Sequence, residues 1–170
     1  MAAPKLFIVD ANVLIDYANT ELQVLSLAAR HLGPVHVARA LLREVKGLTE
    51  AKCRRLGLTL VDPSVDQLLE AGEGRGALSF EDRLCLILAK HQGWTCVTND
   101  RRLRKECSAQ RVRVLWGLEP MIELVEKRRL APAQAIRVAK SIQATNPQHI
   151  TSEIVRRFER QITTASHKRG

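Results

Sequence analysis

Apolar residues along this chain fall into short runs, only the first of them unbroken, separated by longer stretches of helical spacing. Residues 6–9 (Leu6, Phe7, Ile8, Val9) form the first run, too short for a helix and partly β-branched. Similar runs at 35–37, 58–61, 94–98 and 112–115 predict four more strands. A continuous apolar strand such as the first is buried on both faces, as in a parallel sheet. The intervening segments 13–30, 38–46, 49–55, 64–71, 78–91 and 100–107 predict helices. Ala18–Asn19–Thr20 marks a kink or restart within the first of them, and Gly33–Pro34 stops it. Segment 78–91 is apolar around most of its circumference and so is expected to be central and buried.

This alternation predicts an α/β fold: a small, mostly parallel sheet with helices on both faces, a three-layer α/β/α sandwich. From Gly117 onward the pattern is wholly helical, with segments at 118–127, 132–144 and 151–162. Pro132 suits the first turn of its helix. The expected organisation is a core over residues 1–117 and a helical C-terminal extension over 118–170, packed on the same domain and frayed at 168–170. The run Gly72–Glu73–Gly74–Arg75–Gly76 lacks the preceding strand and the Lys-Ser/Thr ending of a phosphate-binding loop. It is expected to be a mobile connection beside a site, or a plain linker.

Charge changes the picture. Among 170 residues, Lys and Arg number 27 against 18 Asp and Glu, a net charge of +9, which favours a polyanionic partner such as nucleic acid. Aromatic residues make up only 4%, which argues against a base-stacking platform. No apolar run could span a membrane and no secretion leader is visible, so a cytoplasmic location away from membranes is expected. The four cysteines, Cys53, Cys85, Cys96 and Cys107, match no zinc spacing and read as buried free thiols. The five histidines are scattered, which gives a histidine-based mechanism little support.

The candidate chemistry is acidic. Asp10 and Asp100 each follow an apolar strand and precede a helix, which puts both at the carboxyl edge of the sheet, where open α/β sheets bind their ligands. Asp82 lies in the first turn of the buried helix, and Glu44 at the edge of another apolar face. Each acid has a plainer reading. Asp10, Asn12 or Asp100 can simply cap a helix, and Ser79 with Asp82 has the spacing of a capping box. Together they suggest carboxylates gathered around a hard divalent cation, Mg²⁺ or Mn²⁺, which relieves their repulsion and suits phosphodiester hydrolysis.

At these residues the chain resembles a known family. Phe7–Ile8–Val9–Asp10–Ala11–Asn12–Val13–Leu14 resembles the opening motif of PIN-domain nucleases. Leu78–Ser79–Phe80–Glu81–Asp82–Arg83–Leu84 looks like their second aspartate helix, and Val97–Thr98–Asn99–Asp100–Arg101–Arg102 like their closing strand and acidic turn. Glu44 matches less sharply. The resemblance covers about residues 5–116. It implies a PIN-like fold and a Mg²⁺- or Mn²⁺-dependent endoribonuclease with Asp10, Glu44, Asp82 and Asp100 as catalytic and metal-holding acids. Asn12, Thr98 and Asn99 would be polar support, and Glu81 a surface or cap residue. Many relatives are toxins paired with a small antitoxin protein, and many form homodimers. Both partners are implied here only to that extent, and the long helical tail departs from the toxin type.

Two basic groups complete the reading: Arg39, Arg43, Lys46, Lys52, Arg54 and Arg55 in one, Arg101, Arg102, Arg104 and Lys105 in the other. Arg43 and the second group, which starts beside Asp100, are the expected contacts to RNA phosphates. The competing readings are a catalytically weak RNA-binding or RNA-processing regulatory protein of the same fold, and a metal-dependent phosphatase or DNA 5′ nuclease.

Overall fold

Five short strands form the centre: β1 (Phe7–Val9), β2 (Val35–Ala38), β3 (Thr59–Val61), β4 (Thr95–Val97) and β5 (Val114–Leu115). They pair in the order β3-β2-β1-β4-β5, and every pairing is parallel. This is a computed structural model, and it describes residues 5–168. The expected fraying of Arg169 and Gly170 lies outside the described residues, while Lys168 pairs with Glu126 at 2.6 Å.

All residues of β1, β2 and β4 are buried, which suits their mostly apolar sequences; the exceptions are Thr95 and His36, the latter hydrogen-bonded to the Phe7 carbonyl at 2.8 Å and stacked on Trp94. The chain winds outward from β1 through β2 to β3, then returns to add β4 and β5 on the other side. That reversal opens a crevice between the carboxyl ends of β1 and β4. Val9 stands opposite Val97, so the next residues, Asp10 and Thr98, meet across it.

The helices are α1 (Ala11–Ala18), α2 (Gln23–His31), α3 (Glu50–Arg55), α4 (Val65–Glu73), α5 (Phe80–Gln92) and α6 (Arg101–Ala109). The C-terminal part adds α7 (Glu119–Glu126), α8 (Pro132–Thr145) and α9 (Ser152–His167). In α5, Leu84 to Ala89 are six consecutive buried residues, packed against β1, β4, α4 and α6. Burying each of its leucines and its isoleucine contributes roughly 1.5–3 kcal/mol, so α5 is the pillar under the crevice. Gly93 ends it with φ 68°, a left-handed position that suits glycine.

Two expected helices come out differently. Segment 13–30 is two helices, because Asn19 terminates α1 and the Thr20 hydroxyl donates back to the Asp16 carbonyl at 2.7 Å. Segment 38–46 is a 3-10 helix over Arg39–Glu44: Ala38 offers no capping side chain, and such short pieces adopt the tighter form.

The C-terminal helices close over one flank. α7 packs on α2 and α9, and α8 on α9 and α1. The buried Tyr17 hydroxyl donates to the Gly117 carbonyl at 2.6 Å, tying α1 to the start of the extension. No helix among the described residues is long and apolar enough to cross a membrane.

Candidate active site

Three helices begin at the crevice, and each is capped there by a residue of the acidic motifs. Asp10 caps α1, its Oδ1 accepting from the Val13 N–H at 2.8 Å. Asp100 caps α6, its Oδ1 accepting from the Leu103 N–H at 2.8 Å. Ser79 caps α5 by accepting from the Asp82 N–H at 3.1 Å. Capping and site-building are therefore compatible uses of the same side chains. The positive ends of three helix dipoles offset part of the repulsion among the acids.

Asp10 is only 1% exposed. The Thr98 hydroxyl donates to its second oxygen, and Thr98 itself accepts from the Asp100 N–H at 3.0 Å. Thr98 thus couples the first and last acids of the set. Burial pushes the Asp10 carboxyl up to about 7, against the two hydrogen bonds that lower it; the charges of Asp82 and Asp16 add to the rise. Asp82 is raised mainly by burial and further by Asp100 and Glu81. Glu44, on the 3-10 helix, is raised by partial burial, then by Glu81 and Asp82. Asp10, Glu44 and Asp100 therefore each lie within electrostatic reach of Asp82.

Two acids join this picture in places the sequence did not suggest. Glu81 was expected on the surface or at a cap, yet it lies close enough to Glu44 for its charge to raise that carboxyl. Helical periodicity could not show this, since it depends on where the 3-10 helix docks. Asp16 is 4% exposed and accepts from Asn99 Nδ2 at 3.3 Å and from Asn146 Nδ2 at 3.1 Å. Its place at i+6 from Asp10, between apolar Ile15 and Tyr17, was the signal available.

The supporting residues divide. Thr98 is directly at Asp10, whereas Asn99 faces the other way. Its Oδ1 accepts from the Gly117 N–H at 2.8 Å, so it ties the site's floor to the extension. A Cβ on Gly117 would lie 2.7 Å from Asn99 Nδ2, so this approach requires glycine. Asn12 is exposed on the first turn of α1.

The basic residues of α6 split between two faces. Arg102 and Lys105 line a cleft against α5, and Arg101 is exposed near the acids. Arg104 instead stacks its guanidinium on Trp116, 3.6 Å from the ring centroid, and burial lowers its pKa. Arg43 is exposed beside Glu44. Arg39, from the first basic group, is ion-paired with Glu50 and Asp62.

The chain matches no protein-family model and no curated protein at a significant level of similarity.

Among the described residues, no group of three or more His, Cys, Asp or Glu side chains stands ready to hold a metal ion directly. The donor chemistry nevertheless suits a hard cation. Asp10, Glu44, Asp82 and Asp100 offer only oxygens, and among the described residues none of them is in a salt bridge. Mg²⁺ commonly keeps several waters and binds through one or two carboxylates, so such a set needs no closed cage. All four cysteines are free and buried; burial pushes Cys85, one turn below Asp82, well up, whereas the hydrogen bond with Cys96 lowers Cys107.

Proposed function

We propose that this protein is a divalent-metal-dependent endoribonuclease of PIN-like fold. One observation carries the reading. Unpaired carboxylates collect at the reversal point of a parallel sheet, in a chain of net charge +9 whose basic side chains pair with Glu50, Asp62, Glu123, Glu126 and Glu159 elsewhere. Concentrating negative charge in a low-dielectric crevice costs stability unless a cation is to be bound there.

In this reading Asp10, Asp82 and Asp100 hold Mg²⁺ or Mn²⁺, with Glu44 and Glu81 on the outer side. When bound, the cation supplies a water of lowered pKa and neutralises charge developing on the phosphate oxygens. Thr98 fixes the orientation of Asp10 through its hydroxyl and that of Asp100 through the backbone. Glu44, whose pKa is raised from its ordinary value by partial burial and by neighbouring Glu81, is the residue assigned to take the proton released from the attacking water. Arg101 and Arg102, at the start of α6, are placed to hold phosphates of the strand. RNA rather than DNA rests on the family resemblance. An antitoxin and a second copy of the chain stay outside the proposal, since no residue of the site requires either.

The test compares wild type with Asp10→Asn and Asp82→Asn, each checked for folding, on single-stranded RNA, structured RNA and flap DNA with Mn²⁺ or EDTA. Metal-dependent cleavage of RNA that falls at least 100-fold in both variants supports the reading. RNA binding without turnover, or unchanged cleavage in both variants, refutes it.

A further inference from the structure

A sizeable cavity lies beside the acids rather than among them. It is a cleft of 520 Å³ between α5 and α6, roofed by the glycine loop that follows α4. That volume is within the range of roughly 300–1,000 Å³ typical of small-ligand sites. Its floor is apolar, formed by Leu78, Leu86 and Ile87, and its cations are Arg75, Arg102 and Lys105. Among the described residues none of these three cations is in a salt bridge, in contrast to Lys5, Arg39, Arg54, Lys140 and Lys168.

The roof is tied down by one side chain. Arg83 Nε donates to the Ala71 carbonyl at 2.7 Å and Nη1 to the Leu78 carbonyl at 2.6 Å, so a single guanidinium holds both ends of the loop. A Cβ on Gly74 would fall 2.2 Å from Arg83 Cδ, so any larger residue there would have to displace this strap. Arg83 is thereby committed to structure, while Arg75, on the same loop, is left to face the cleft.

The order of residues along α6 gives the cleft a polarity. Asp100 caps the helix at the acids; Arg102, Lys105, Glu106 and Gln110 then follow along the cleft wall. At 1.5 Å per residue, Lys105 stands about 7.5 Å along the axis from Asp100, of the order of one nucleotide of extended strand. Cations come first, next to the acids, and the acceptors Glu106 and Gln110 come last. A phosphate suits the near end. An apolar planar group bearing amino donors suits the floor and the far end.

We propose that this cleft is a nucleotide subsite. It seats the nucleotide adjoining the scissile phosphate of a single-stranded RNA, with the phosphate on Arg102, Lys105 and Arg75 and the base on Leu78, Leu86 and Ile87. The inference rests on the nuclease reading for its substrate. The preferred bases are those with exocyclic amino groups, adenine, cytosine and guanine, because Glu106 can accept from them and uracil offers no such group.

Binding is measured in the Asp10→Asn background, by fluorescence anisotropy of a labelled single-stranded oligoribonucleotide. Arg102→Ala with Lys105→Ala is compared with Arg137→Ala plus Arg156→Ala, a control removing the same charge from exposed positions on α8 and α9. The expected result is a loss of at least tenfold for the cleft pair and at most twofold for the control, with oligo-A binding more tightly than oligo-U. Equal losses in the two pairs would mean diffuse charge attraction and overturn the proposal. Competition by AMP as strong as that by the oligonucleotide would make the occupant a free nucleotide and also overturn it. Wild-type hydrolysis of bis(p-nitrophenyl) phosphate with Mn²⁺ tests the acids without engaging a base. Its absence, alongside cleft-specific RNA binding, would sink the nuclease reading and leave the subsite standing.

Discussion

Asp10 gives the sharpest physical prediction. Its carboxyl is buried, and its pKa stands at about 7 in the folded protein against an ordinary 3.8. A shift of about three units corresponds to about 4 kcal/mol. Because the folded-state pKa is raised, the folded protein holds this proton more tightly than the unfolded chain. The cost is absent below pH 3.8, grows as pH rises through the interval, and is complete above about 7. Asp10→Asn removes the ionisation while keeping an oxygen for the Val13 N–H and a group for Thr98. Denaturation in EDTA should therefore show the variant gaining on wild type by roughly 2–4 kcal/mol between pH 4 and pH 8. Added Mg²⁺ or Mn²⁺ should then stabilise wild type at pH 8 and the variant much less, because only wild type offers the full charge. Stability curves that stay parallel from pH 4 to pH 8 would show that Asp10 is not held at this cost, and would refute the reasoning.

Other consequences are simpler. Arg83→Ala should destabilise the fold by about 2–3 kcal/mol in thermal or chemical denaturation, since it removes two charge-assisted bonds to the loop ends. Gly74→Ala should be destabilising in wild type and far milder in the Arg83→Ala background, where the strap it collides with is gone; additive losses in that cycle would contradict the contact. Asn146→Ala should cost about 1–2 kcal/mol by stripping a donor from buried Asp16, whereas an apolar partner change at Asp16 itself should partly relieve the loss. Cys53, Cys85, Cys96 and Cys107 should resist iodoacetamide in the native protein and react together on unfolding; selective native labelling of Cys85 would show an opening beneath the acids.

Much of the architecture is legible in the sequence because each strand is a short, mostly apolar segment and Asp10 and Asp100 each follow one. Phe7–Val9 before Asp10 and Thr95–Val97 before Thr98 place two parts of the site by themselves. The strand order is not written locally, since it depends on which side of β1 the returning β4 docks. The 3-10 geometry of Arg39–Glu44 was hidden for a related reason: its apolar spacing is that of an α-helix, and only the missing cap at Ala38 distinguishes it. Glu81 and Arg104 show the same limit from the side-chain end. One lies within electrostatic reach of Glu44 and the other on Trp116, and both relations join residues from different elements of the chain. The cleft beside α5 was likewise invisible, because a loop of three glycines reveals its roof only when Arg83 is seen crossing beneath it.

The most direct test of the central claim is a crystal of the protein grown with Mn²⁺ and examined by anomalous scattering. The account predicts a manganese peak in the crevice between β1 and β4, liganded directly or through water by Asp10 and by Asp82 or Asp100. A fully loaded crystal with no peak there, or with manganese only at unrelated surface carboxylates, would contradict it.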